Sequence, residues 1–296
     1  MDILRRKEIY SNYPYILWFL LYFTLFWFIF GASMKSFYFV GFTYLVSILF
    51  ALSPMAESLW RSVVGIREVT IKAEKEKLMP LFKAVYQDAI KIDANLPKNI
   101  KLYIQDTMDI NAFAFGRETL VLTKGSVSQL SDDSLKGLIA HEFGHFSHYD
   151  TTVLLIASVG NMLLALFMKL VYVITKILLF IVRNKDSTFS FFFNILYKII
   201  IWVHNAFIFA GDVILMSVSR EHEFMADDFA NKCGYGEELA EVLNEIHEVS
   251  IDNPQAITEL LRMSHPPLTQ RIERLEKMIN AGAKSGNTMK ARRKAG

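Results

Sequence analysis

Apolar residues along this chain gather into long blocks. Residues 14–33, PYILWFLLYFTLFWFIFGAS, carry no charge, and residues 37–53 form a second apolar run. Each is about long enough to cross a hydrocarbon core of roughly 30 Å as a helix. With only Met34, Lys35 and Ser36 between them, the spacing predicts a tight antiparallel hairpin. The first run is too long for the apolar core of a secretion signal, lacks a small-x-small cleavage site and is followed at once by another span. Two further stretches, residues 152–182 and about 191–217, are less clean: Lys169 and Lys176 interrupt the first, and Lys198, His204 and Asp212 the second. Such residues at membrane depth point inward or snorkel; alternatively the spans are the shorter segments 153–168 and 199–217. The pattern predicts four transmembrane helices.

Between and after these blocks the pattern changes. Residues 80–94 show Leu81, Phe82, Val85 and Ile90 at helical spacing, with Pro80 suited to a first turn and Pro97 beyond the end. Residues 101–104, 111–116 and 119–123 read as short strands, with a turn at Gly116-Arg117-Glu118. Ser131 is suited to cap a helix whose first turn holds Asp132 and Asp133, where the helix dipole favours negative charge. Further helices are predicted over 221–233, 237–250, 253–263 and 268–280, with a break at His265-Pro266-Pro267 and a disordered basic tail from Ala281. The fold class is therefore a membrane α-helical protein carrying a mostly α, α+β domain.

Composition sharpens this in three ways. Apolar residues make up 52% of the chain, with 24 Phe and 12 Tyr, while a net charge of +2 gives no reason to expect a nucleic-acid partner. The single cysteine, Cys233, excludes an internal disulfide framework and any cysteine-rich metal site. Arg5, Arg6 and Lys7 precede the first span and Arg61, Arg67, Lys72 and Lys75 follow the second, against Lys35 alone in the loop between. The positive-inside bias places both termini and residues 54–150 in the cytoplasm, although Arg183 and Lys185 then run against it.

His141-Glu142-Phe143-Gly144-His145 sets two imidazoles one helical turn apart, able to share one metal ion. Glu142, between them, can take a proton from a metal-activated water. A catalytic zinc needs a third protein ligand. Glu223 could complete a two-histidine, one-carboxylate set, and Asp227, four residues on, could then accept the N–H of a ligand histidine. His222 competes as a ligand but points about 100° from Glu223 on a helix.

The pattern HEFGHxxxxD, followed after two apolar spans by SRxxExxAD, resembles the HtpX-like heat-shock membrane metalloproteases. Asn111-Ala112-Phe113-Ala114 resembles that family's NAFA segment, and His265-Pro266-Pro267 with Arg271-Ile272 its C-terminal HPP…RI element. The resemblance implies a gluzincin-type protease domain binding one Zn²⁺ per chain, with His141, His145 and Glu223 as ligands and Glu142 as general base. It further implies an endopeptidase acting on membrane or misfolded proteins in quality control and the stress response. Asn111, Ala112, Phe113 and Ala114 would pair with substrate, and His265 and Arg271 would either stabilise the transition state or serve as structural partners. The implied organisation is a transmembrane hairpin (1–53), a first half-domain with the zinc helix (54–151), a second transmembrane pair (152–218), a second half-domain (219–280) and a tail (281–296). The implied location is multi-pass in the cell membrane, catalytic domain on the cytoplasmic side, with lipid and protein substrates as partners. A CAAX prenyl protease shares the motif order but has more spans and a longer chain. A non-enzymatic scaffold with a structural site would need a fourth protein ligand.

Overall fold

A computed structural model describes residues 13–153, 155, 156, 169–171, 173–178, 180, 187–252 and 266–294. In chain order the elements are α1 (Tyr13–Ile29), α2 (Met34–Ala51), α3 (Pro54–Val64), β1 (Ile66–Glu68), α4 (Lys72–Ile92), β2 (Lys101–Gln105) and β3 (Ala112–Phe115). β4 (Thr119–Thr123), α5 (Lys124–Gln129), α6 (Asp132–Ser147), α7 (Ser187–Lys232), α8 (Gly236–Asp252) and α9 (Leu268–Lys294) follow. Contacts divide the chain into two units, Met1–Ser11 with Leu52–Leu154 and Val218–Gly296, and Asn12–Ala51 with Leu155–Ser217. The helix predicted at 253–263, His265 and most of the third expected span lie outside the described residues.

In the smaller unit α1 and α2 form a helical hairpin with an aromatic seam. Trp18, Tyr22 and Phe26 recur at helical spacing and pack with Val40 of α2. Leu17, Leu20, Phe28, Phe39, Phe42 and Leu49 are exposed. The turn falls earlier than Met34-Lys35-Ser36. Gly31 (φ 91°) and Ala32 (φ 49°) take left-handed conformations, and the Ser33 hydroxyl accepts the Ser36 amide at 3.2 Å to start α2. An unbroken apolar run hides such caps, so its polar interruption was a poor marker of the turn. Among the described residues only α2 is long and apolar enough to cross a membrane, with mean hydropathy 1.5; the apolar stretch Ile16–Ile29 is shorter.

The larger unit is built on a four-stranded sheet of order β1-β2-β4-β3. β1 pairs antiparallel with β2, β2 parallel with β4, and β3 antiparallel with β4, so β3 is an edge. α6 is the central helix, and every residue from Gly137 to Gly144 is buried. Its Leu135, Ile139 and Phe143 share one core with Leu78 and Val85 of α4, Leu120 and Leu122 of β4, Leu239 and Leu243 of α8, and Leu275 of α9. Each such side chain contributes about 1.5–3 kcal/mol on burial, which fixes α6 from several sides. Ser131 caps it as predicted, its hydroxyl accepting the Ser134 amide at 3.0 Å.

Three features depart from the sequence expectations. α4 begins at Lys72, not Pro80, which lies inside the helix. Pro80 and Glu76 both sit on the exposed side, where water can take the carbonyl that the missing N–H leaves free. α3, β1 and α5 lie outside the sequence expectations: β1 and α5 are too short to show a period, and the charged residues of α3 resemble a solvated face. α9 runs on to Lys294, past the predicted end at 280 and through the tail expected to be disordered; its Ala, Lys, Met and Arg residues favour helix.

Candidate active site

Each imidazole of the HEFGH helix is pinned on one nitrogen and directed inward with the other. His141 Nδ1 lies 3.0 Å from Asp227 Oδ1, while its Nε2 lies 3.5 Å from Glu223 Oε2. His145 repeats the arrangement, with Nδ1 3.2 Å from Asp150 Oδ2 and Nε2 3.6 Å from Glu223 Oε1. The rings stand nearly perpendicular, 87° apart, with centroids 4.9 Å from each other. One ligand atom from each of His141, His145 and Glu223 falls within 4.8 Å of the others, a group that could hold a metal ion. Glu142, on the same turn, is buried. Helix spacing explains the histidine pair; α7 brings Glu223 and Asp227 to it on one face, four residues apart.

Burial disfavours the imidazolium of His141, but the bonds to Asp227 and then Glu223 outweigh it and push the pKa up to about 10. The His145 value is also raised: burial opposes the shift and the Asp150 bond drives it. Asp227 is held below the usual carboxylate range; burial opposes this, and the Arg271 charge, followed by His141, prevails.

Asp150 was present in the motif but carried no assigned role. α6 ends at Ser147, and Tyr149 adopts a left-handed backbone (φ 61°), which returns the chain so that Asp150 faces His145. A left-handed non-glycine residue is uncommon and costs strain, and no local residue pattern announces it. The other Asp150 oxygen lies 3.1 Å from His222 Nδ1. His222 thus meets Asp150, and the three atoms that converge as possible ligands are those of His141, His145 and Glu223.

Arg271, from α9, is buried among the same carboxylates. Its Nε and Nη2 donate to both oxygens of Asp227 at 2.9 and 2.7 Å, and its Nη1 lies 2.9 Å from Glu223 Oε2. That geometry is charge pairing in a bidentate fork. The Asn111 main chain is fixed by Thr123 and Ser126: its amide donates to their hydroxyls at 3.1 and 2.8 Å. Ala112, Phe113 and Ala114 lie in β3, opposite Leu122, Val121 and Leu120 of β4, and β3 contacts α6.

Residues 77–279 match peptidase family M48, and the chain belongs to that family; it is a metalloprotease. Within it the similarity is to HtpX proteases. An HtpX homolog of Dictyoglomus turgidum is 30% identical over 239 residues, 72% of this chain and 73% of that one. The Pseudomonas syringae pv. tomato protease HtpX is 27% identical over 57% of this chain and 62% of its own. A crystal structure of S. mikatae Ste24p superposes with a TM-score of 0.48 and 20% identity, covering 86% of this chain and 61% of that one.

Proposed function

We propose that the chain is a membrane-embedded, zinc-dependent endopeptidase hydrolysing peptide bonds of membrane or misfolded proteins, as in proteolytic quality control. The observation that carries this reading is the convergence of His141 Nε2, His145 Nε2 and the Glu223 carboxylate beside buried Glu142. Two imidazoles and a carboxylate are a zinc donor set that leaves one position open. The nitrogen–oxygen spans of 3.5 and 3.6 Å are close to the roughly 3.3 Å edge of a tetrahedron with bonds of about 2.0–2.1 Å. Bound there, zinc supplies Lewis acidity to the scissile carbonyl and eases deprotonation of water.

The chain's own residues supply the rest. His141, His145 and Glu223 hold the ion, one per chain, while Asp227 and Asp150 fix the two imidazole tautomers so that Nε2 faces inward. Glu142 accepts the proton of the attacking water and returns it to the departing amine. β3 is an unpaired sheet edge beside α6, suited to add an extended substrate as a further strand. Main-chain hydrogen bonds from 112–114 then bind it with little demand on sequence, and Asn111 orients it. The hairpin 1–53 anchors the chain, a second pair of spans lies in 152–218, and the basic residues flanking the hairpin favour a catalytic domain (54–151 with 219–280) on the cytoplasmic side.

The test is Glu142→Gln. Zinc content should remain at one per chain while peptide cleavage falls by about 10²–10⁴-fold, the usual scale for a general base; unchanged cleavage would sink the mechanism. A His141→Ala protein that still held stoichiometric zinc would overturn the ligand assignment.

A further inference from the structure

α3 has an outer face that a helix in water would not carry. Met55, Leu59 and Val63, at i, i+4 and i+8, are 69%, 52% and 73% exposed, and they are flanked by exposed Ser58 and Ser62. The only charged residues of α3, Glu57 and Arg61, are turned into the domain. Glu57 is buried and its carboxylate accepts the backbone amides of Arg117 and Glu118. Arg61 Nη1 donates to Thr119 Oγ1 at 2.9 Å, and its guanidinium stands 5.0 Å over the Tyr103 ring. An exposed stripe without charge is unusual on a soluble surface and marks a surface that meets an apolar partner.

Chain connectivity identifies that partner. α2, of membrane-crossing length and hydropathy, ends at Ala51, and only Leu52 and Ser53 precede Pro54. Ser53 is extended (φ −84°, ψ 149°) and caps α3 with Pro54 in its first turn, so the helix breaks and restarts where a span would leave the bilayer. Trp60, half-exposed beside the stripe with its ring 5.4 Å from Phe115, is the residue type that favours the headgroup level. We propose that α3 is an interfacial helix that lies in the headgroup region with Met55, Leu59 and Val63 in the lipid, and that it holds the edge strand β3 at that surface. The link to β3 is the β3–β4 turn that Glu57 grips. Gly116 there is left-handed (φ +61°), and a Cβ on it would collide with the Glu57 carboxylate.

This inference rests on the membrane placement proposed above, and its test separates the two. Spin labels are attached at Met55→Cys, Leu59→Cys, Val63→Cys and, in α2, Phe42→Cys, each in a Cys233→Ala full-length chain. The proteins are reconstituted into phosphatidylethanolamine–phosphatidylglycerol nanodiscs, and label collisions with oxygen and with a water-soluble nickel chelate are compared. Oxygen should dominate at all four positions. Oxygen dominance at position 42 with nickel dominance at 55, 59 and 63 overturns the inference and leaves the anchor intact. Exclusion of both agents at 55, 59 and 63 also overturns it, because protein or a second copy of the chain then covers the stripe. Nickel dominance at position 42 overturns the membrane placement and the inference with it. Leu59→Glu/Val63→Glu should lose cleavage of a bilayer-anchored peptide while a soluble peptide is cleaved as before; equal loss on both contradicts an interfacial role.

Discussion

The two helices that carry the candidate ligands touch at one glycine. A Cβ added to Gly144 would stand 2.6 Å from Ala226 Cα, 3.0 Å from its Cβ and 3.1 Å from its carbonyl oxygen. Carbon atoms pack at about 3.5–4.0 Å, so Gly144→Ala must part α6 and α7 by roughly 1 Å at the level of the site. Glu223 moves with α7, and its 3.5 and 3.6 Å spans to the two histidines lengthen accordingly. Two energies oppose each other. Alanine gains about 1 kcal/mol over glycine in a helix interior, while overpacking costs about 1–3 kcal/mol. The clash should prevail, because two of its three partners are main-chain atoms that no rotamer change can remove. Zinc affinity, measured by competition with a chromophoric chelator in detergent, should fall about 10–100-fold, the scale seen when ligand support is lost. Gly137→Ala is the control. Its Cβ would meet Leu239 N at 2.5 Å and Glu238 C at 2.7 Å, straining α6 against α8, so it should lower the unfolding temperature without changing zinc affinity. A Gly144→Ala protein with unaltered affinity and a raised unfolding temperature would refute the close contact.

The remaining outcomes concern the groups behind the ligands. Asp150→Ala should weaken zinc binding about 10–100-fold and Asp150→Asn less, since the amide oxygen can still accept the His145 N–H; equal affinities would show that Asp150 does not position the ring. Arg271→Met leaves Glu223 and Asp227 without their buried counter-charge and should destabilise the metal-free protein by about 3–5 kcal/mol in denaturant unfolding. Arg271→Lys should restore only part, because one ammonium cannot reproduce the fork. His141, raised from 6.5 to about 10, contributes stability that is fully present below pH about 6.5 and lost as pH rises through about 10. The metal-stripped protein should therefore lose more thermal stability over that window than His141→Ala, and parallel pH profiles would contradict the assigned partners.

What could be read from the sequence was local. The Ser131 cap, the one-turn spacing of His141 and His145, and the short apolar runs that mark β2 and β4 depend on neighbours within a few residues. Glu223 and Asp227 were visible as a helical pair, though only the fold brings them to α6. Asp150 was hidden because its position depends on the left-handed Tyr149. Arg271 stood in a recognisable element, yet its bidentate hold on Asp227 exists only once α9 is packed. α3 escaped notice because its two charged residues look like an ordinary solvated face until Glu57 is seen inside the β3–β4 turn. The α1–α2 turn was misplaced because apolar composition reports burial in lipid or protein and says little about where a helix stops.

Arg271 reaches Glu223 and Asp227 from α9, the last helix among the described residues. A polypeptide still being synthesised has its HEFGH helix, Glu223 and Asp227 before it has the cation that balances the two carboxylates. Until α9 is docked through Ile272 and Leu275, the two acidic groups have only the histidines of α6 to oppose their mutual repulsion in the interior. The two buried carboxylates therefore reach their balanced state only when residues as far on as Leu275 are in place.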